Sequence, residues 1–471
     1  MKLKFPSAYT ILFGLIVVVA VATWFVPAGE YDRALNEALG KDVPIPGTYQ
    51  QVEPNPQGVF DVVLAPIAGF FDPDSYEARA IDVALFVLII GGFLGIVTKT
   101  GAIDAGIARA MVRLKEREKW MIPILMGLFA AGGTIYGMAE ESLAFYTLVI
   151  PVMIAARYDA LTGVAIIMLG AGVGTLGSTI NPFATVIAAN AAGVPFTDGI
   201  VLRFVILIAC WLACVIYVMR YAERVRRDPE RSIVADRRAS NEEHFLKGRK
   251  APGDADAVGF TVLHKIVLLI FALTFAVMIW GVSAGGWWMA EMSGLFVVSS
   301  ILVGLIARMS EQDFTETFVD GARDLLGVAL VIGIARGIVV VMDAGKMTDT
   351  ILFWAEGAVA GLPAFGFINA MFGVEVALSF FVPSSSGLAV LTMPVLAPLA
   401  DFADVQRALV VTAYQSASGL VNLINPTFAV VMGGLALGRV PYERWLRFMW
   451  PLLLILTAII VTALSVATLI D

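Results

Sequence analysis

The residues with the clearest chemical potential are an acidic pair, a serine triplet and two Asn-Pro dipeptides. Glu140-Glu141 runs directly into Ser142, and Ser384-Ser385-Ser386 follows Val382-Pro383. Asn181-Pro182 and Asn425-Pro426 each close a stretch rich in Gly, Ser and Thr or Asn. Carboxylate, hydroxyl and amide oxygens suit a hard cation or an ammonium group, whereas freed N–H groups at a helix start suit a carboxylate. Proline removes one backbone donor and frees the carbonyl four residues back, and glycine lowers the cost of leaving helical geometry. The runs 170–182 and 416–426 are therefore expected to unwind. Ser178, Thr179, Asn181, Asn422 and Asn425, with the freed carbonyls, form a candidate cation site for which sodium is the ion in view. Glu140, Glu141, Ser142, Asn181, Ser384, Ser385, Ser386 and Asn425 form the candidate solute-binding set. Arg336, set in the apolar run 324–343, either clamps a substrate carboxylate or pairs internally with Glu375.

Other chemistries lack their residues. Cys210 and Cys214 lie in one apolar run, one helical turn apart, and imply neither a disulfide framework nor a zinc site. His244 and His264 lie in or beside a polar linker, so no His cluster and no nucleophile–base constellation is available, and neither an enzyme nor a resident cofactor is expected. A formal net charge of −7 leaves no concentrated basic face for nucleic acid.

The elements that must position these residues are membrane helices. Of 471 residues 59% are hydrophobic and only 15% charged. The apolar residues fall in blocks of about 20 or more, the length that crosses a ~30 Å hydrocarbon layer. Such blocks span 8–28, 80–98, 121–157, 161–191, 199–221, 261–281, 286–307, 324–343, 363–400, 405–437 and 443–469. The basic start Met1-Lys2-Leu3-Lys4 leads into a long run closing at Trp24-Phe25-Val26-Pro27, which reads as a retained first helix. The stretch 222–257 carries nine Lys or Arg against three in 28–80, which places the first in the cytoplasm, the second outside, and the N-terminus in the cytoplasm. The stretches 57–72 and 311–323 look amphipathic and are expected to lie flat on the membrane surface. Asp82 and Asp343 are read as interface markers.

The chain also repeats itself. Ile180-Asn181-Pro182 recurs as Ile424-Asn425-Pro426, Leu202-Arg203-Phe204 as Leu446-Arg447-Phe448, and Gly101 as Gly345, all displaced by 244 residues. The stretch 100–119 holds five basic residues (Arg109, Arg113, Lys115, Arg117, Lys119), whereas its mate 345–360 holds Lys346 alone. Equivalent halves with opposite exposure form an inverted repeat, which lets one central site face either side of a membrane in turn. The boundaries follow: 1–79, an N-terminal helix, outer loop and arm; 80–221, the first repeat; 222–260, a cytoplasmic linker; 261–323, further helices and an arm; 324–471, the second repeat. Within the repeats 121–157 and 363–400 read as helical hairpins around polar tips, and 161–191 and 405–437 as broken helices. Each hairpin arm of roughly 18 residues would extend about 27 Å, which leaves a full crossing and a re-entrant hairpin both open on length, with re-entry favoured because tips and breaks recur together.

Phe5-Pro6-Ser7-Ala8-Tyr9, Trp24-Phe25-Val26-Pro27-Ala28-Gly29-Glu30-Tyr31, Gly137-Met138-Ala139-Glu140-Glu141, Leu176-Gly177-Ser178-Thr179-Ile180-Asn181-Pro182 and Val382-Pro383-Ser384-Ser385-Ser386-Gly387 resemble the YfcC branch of the C4-dicarboxylate anaerobic carrier (DcuC-like) family. That family is similar to ArcD-type basic amino acid antiporters and belongs to the ion transporter superfamily. The resemblance implies an all-α polytopic fold with scaffold and transport domains, two opposed re-entrant hairpins, elevator-like movement, and a homodimer in the bacterial inner membrane. The sequence thus points to a secondary transporter for a small organic solute. Two adjacent acids fit a basic or zwitterionic amino acid such as arginine or ornithine; a sodium- or proton-coupled C4-dicarboxylate carrier is the alternative. A channel would need pore-lining rings that the broken repeats do not suggest.

Overall fold

A computed structural model of the chain describes residues 8–36, 41–103, 105, 106, 109, 118–246 and 260–470. Met1 to Ser7, the basic residues Arg113, Lys115, Arg117, Lys247, Arg249 and Lys250, and Asp471 lie outside the described residues. Among the described residues eight helices are long and apolar enough to cross a membrane, and the chain is a multi-pass membrane protein.

The first helix, α1 (Ala8–Ala22), leads into a loop that is not helical. There β1 (Gly29–Glu30) pairs antiparallel with β4 (Gln50–Gln51), and β2 (Arg33–Asn36) with β3 (Lys41–Pro44). These small sheets correct the all-α expectation. Their anchor is an ion pair from Arg33 to Asp349 at 2.9 Å, reinforced by the Tyr31 N–H, which donates to the same carboxylate at 3.0 Å. Next come α2 (Val59–Ala68) and α3 (Ile81–Lys99).

The first polar tip sits between α4 (Met121–Tyr136) and α5 (Tyr146–Ala155). Gly137 ends α4 with φ +79°, a left-handed conformation that glycine adopts without steric cost. The first break follows α6 (Ala160–Leu176), whose N-terminus is capped by Asp159 accepting from the Thr162 N–H at 2.8 Å. Beyond Asn181 the chain re-enters helix through a π turn (Pro182–Val186) into α7 (Ile187–Ala192), then α8 (Ile200–Arg227) and the linker helix α9 (Arg238–Leu246). Two further helices, α10 (Val262–Ala284) and α11 (Met289–Ile306), precede α12 (Glu311–Ala344).

The stretch 311–323 is thus the opening of one continuous helix, not a separate surface arm. Ser310 caps it by accepting the Asp313 N–H at 3.1 Å, and no proline interrupts it. Its Gly321 is a packing residue: a Cβ there would collide with the Gly91 carbonyl of α3, and a Cβ at Gly91 would meet Gly321 in return.

The second half then lays down α13 (Thr348–Val359), α14 (Ala364–Phe381), α15 (Ser385–Leu396), the short α16 (Leu399–Phe402), α17 (Arg407–Val421), α18 (Ala429–Leu437) and α19 (Tyr442–Ile470). Hairpin, tip, long helix, Asn-Pro break, short helix and long helix therefore follow one another in both halves. The long inner helices α6 and α17 lie against each other, and both are buried along nearly their whole length. Glycine permits the approach: a Cβ at Gly419 would strike the Leu176 backbone, and one at Gly172 the Leu423 side chain.

Candidate functional site

Each Asn-Pro break is fastened to its own hairpin in the same way. Asn181 turns its side-chain oxygen to the N–H groups of Phe183 (2.8 Å) and Ala184 (3.2 Å), and its amide donates to the Gly133 carbonyl of α4 at 3.3 Å. Asn425 accepts the Thr427 N–H at 3.1 Å and donates to the carbonyls of Ser379 (3.2 Å) and Phe380 (3.1 Å) at the end of α14. Asparagine is suited to this position, because it carries an acceptor for the freed helix start and a donor for the neighbouring arm. The Thr134 hydroxyl adds a second link in the first half, accepting the Thr179 N–H at 2.9 Å.

The carbonyls that the sequence leaves open are taken by protein donors. Gln415 of α17 donates to the Ser178 carbonyl at 2.8 Å, with longer contacts to Thr175 and Leu176, and its side-chain oxygen accepts from the Thr185 hydroxyl. In the second break Tyr442 donates to Ile424 (2.7 Å) and Trp445 to Leu423 (2.9 Å). Gln415 has no counterpart at the repeat offset and no sequence signal beyond being a polar residue in an apolar helix. The candidate cation set is accordingly dispersed: Ser178 bonds Thr185 (2.7 Å), Thr179 faces Thr134, and Asn181 and Asn425 bond their own hairpins.

Between the tips and the inner helices lies a cavity of about 490 Å³. It is lined by Glu140, Glu141 and Ser142 from the first tip, Ser384, Ser385 and Ser386 from the second, Asn181 and Asn422 at the breaks, and Arg336 of α12. Asn425, Ser178 and Thr179 do not line it. Glu141 is buried and accepts the Ala139 N–H at 3.0 Å. Ser142 Oγ and Asn422 Oδ1 are buried without a hydrogen-bond partner among the described residues, so polar groups at the cavity stay unsatisfied by the protein.

Three charges of the cavity, Arg336, Asp82 and Arg79, are placed by the structure. Arg336 does not pair with Glu375, which lies buried in the second hairpin; its side chain is exposed to the cavity and sits in the field of Asp343, Arg79 and Asp82. Asp82, read as an interface residue, lines the cavity and accepts the Trp288 indole N–H at 3.0 Å. Arg79, which sequence reasoning missed, also lines it. Its guanidinium is matched by Asp72 at 2.6 Å and donates to the Ala68 carbonyl at 2.8 Å. The N–H groups of Ser75 and Asp74, and then Arg79 itself, hold the Asp72 carboxyl below the usual range, so it stays ionised beside Arg79 at neutral pH.

Comparison with known proteins adds a relationship to this geometry. Residues 5–469 match the profile of the family described as C4-dicarboxylate anaerobic carrier. A protein of Haemophilus influenzae is 34% identical over 490 aligned positions, covering 96% of this chain and 94% of its own. Escherichia coli K12 YfcC, named as a proposed basic amino acid antiporter, is 31% identical, covering 94% of this chain and 92% of its own. Two solved transporters superpose with low scores: MtrF of Neisseria gonorrhoeae, from a class of antimetabolite efflux pumps (TM-score 0.45, 15% identity, 98% and 95% covered), and YdaH of Alcanivorax borkumensis (TM-score 0.41, 13% identity, 98% of each covered).

Proposed function

The chain belongs to the C4-dicarboxylate anaerobic carrier family of membrane transporters, and from that premise we propose that it exchanges basic or zwitterionic amino acids of the arginine or ornithine type across the bacterial inner membrane. The observation that carries this reading is that one cavity holds Glu140, Glu141 and Asp82 together with the guanidinium of Arg336, which has no ion-pair partner among the described residues. An amino acid presents a cation and a carboxylate a few bonds apart, and such a pair complements both signs at once. The relative named as an antiporter supports the same class.

Alternating access of elevator type, with the two halves as inverted repeats in a homodimer, is part of the proposal. The matching succession of elements at a 244-residue offset supports it. A dicarboxylate carrier is the second reading, favoured by the family's description and by two arginines at the cavity. Arg79, however, is already neutralised by Asp72, which leaves Arg336 facing an excess of acids; dicarboxylate binding would then need cations supplied with the solute.

The test is exchange in proteoliposomes preloaded with ornithine. Labelled arginine should enter only against internal amino acid, and succinate should neither enter nor compete. Sodium-driven succinate uptake without arginine exchange would replace the first reading by the second.

A further inference from the structure

Glu375 is fully buried in the middle of α14, and neither of its carboxyl oxygens has a hydrogen-bond partner among the described residues. One turn on, Ser379 Oγ is likewise buried and unpartnered. The two hydroxyls that face Glu375 are already committed as donors: Thr392 of α15 to the Leu388 carbonyl at 3.0 Å, and Tyr414 of α17 to the Ser385 carbonyl. Tyr414 therefore offers a lone pair, while the Thr392 hydroxyl lies within reach of the carboxyl and can turn to it. A carboxylic acid O–H finds acceptors in this setting, while a carboxylate finds at most the Thr392 hydroxyl and no countercharge among the described residues.

Among the described residues no charged group offsets it. The segment Ser385–Leu396 holds no titratable residue, and Arg407 at the start of α17 is engaged with Asp401. Asp349 and Glu356 of α13 are bound to Arg33 and Tyr31, while Glu443, Arg444 and Arg447 lie in the first turns of α19. Of the described titratable groups, the buried Tyr414 of α17, the helix packed along α14, is the one that faces Glu375.

Tyr414 also connects Glu375 to the cavity, because the carbonyl it holds belongs to Ser385 in the second tip, which lines the cavity. We propose that Glu375 is a proton-carrying site coupled to the second tip: with the tip seated, Tyr414 is bound to Ser385 and Glu375 keeps its proton. When the tip lifts, the Tyr414 O–H is released and turns to Glu375, which gives its proton to water admitted at the opening. Seating the tip recaptures a proton. Transport would then be proton-linked through a residue that does not touch the solute. The idea gains its meaning from the transporter reading, but its test needs no solute, so the two can fail separately.

The experiment follows the tip directly. In the full-length protein carrying Ser384→Cys, maleimide labelling is timed from pH 6 to 8, with and without Glu375→Gln; the ratio of the two rates cancels the titration of the thiol. For a two-state tip linked to one proton, that ratio should rise up to about tenfold per pH unit. A ratio independent of pH would overturn the proposal. Should Glu375→Gln fail to fold, Tyr414→Phe in the Ser384→Cys background answers the same question: it severs the hydroxyl link, so its labelling relative to the Tyr414 chain should depend on pH, and a pH-independent ratio would refute the coupling.

Discussion

Arg336 reaches the cavity with its guanidinium unbonded among the described residues, and the acids in whose field it sits, Asp82 and Asp343, are engaged with Trp288 and Thr348. A bound solute carboxylate would be its first strong partner. A hydrogen bond to a charged group is worth about 1.5–3 kcal/mol, so Arg336→Gln should raise the KM for labelled arginine by roughly 10- to 100-fold. Agmatine, which lacks the carboxylate, should bind the substituted and unsubstituted proteins alike. An unchanged KM for arginine would remove Arg336 from the site. Asp72 leads to a second expectation. Its lowered carboxyl range means that its ion pair with Arg79 is present at and above the usual carboxylate range and is lost only as pH falls through the lower folded value. Over roughly pH 5 to 8 the pair should contribute no pH dependence. Asp72→Asn should free Arg79, and succinate should then compete measurably with arginine uptake; absence of any competition would show that Arg79 does not address the solute.

At the scale of elements, the Asn-Pro breaks behave as clasps. Asn425→Ala would leave the Ser379 and Phe380 carbonyls and the Thr427 N–H without this partner; Phe380 keeps the Thr427 hydroxyl at 3.2 Å. Each buried group left unsatisfied costs about 1–3 kcal/mol. The substitution should therefore lower the thermal midpoint of the purified protein, and Asn181→Ala should do the same through Gly133 and Phe183. Loss of uptake at an unchanged midpoint would instead make these residues ligands. Gly133 and Gly174 set the close approach of α4 to α6, since a Cβ at either would overlap the carbonyl of Ala171 or Ala130. Gly133→Ala should reduce the yield of folded protein more than Gly127→Ala on the same helix, where the nearest neighbour of a Cβ is the Trp211 ring at 3.6 Å. Equal yields would mean that α4 can shift at no cost.

At the scale of the whole molecule, charge asymmetry predicts sidedness. Cysteines introduced singly at Glu230, in the basic linker, should react with an impermeant maleimide only from the cytoplasmic side, and at Ser75 only from the outside. Labelling of both from one side would reverse or break the proposed topology. The sequence by itself determined the membrane class, most spans, the Asn-Pro pairs and both tips, because apolar length, proline chemistry and duplication are local or periodic signals. Glu140, Glu141, Ser142, Arg336, Asn422 and the serine triplet, which come from separate stretches of the sequence, line one cavity. Only the tertiary structure decided which polar groups are already spent. Gln415, Tyr442 and Trp445 close the freed carbonyls, Asp72 neutralises Arg79, and Glu375 stands apart from Arg336. Hydrogen-bond satisfaction depends on which donor arrives from a distant segment, and that is a property of packing that no local pattern encodes.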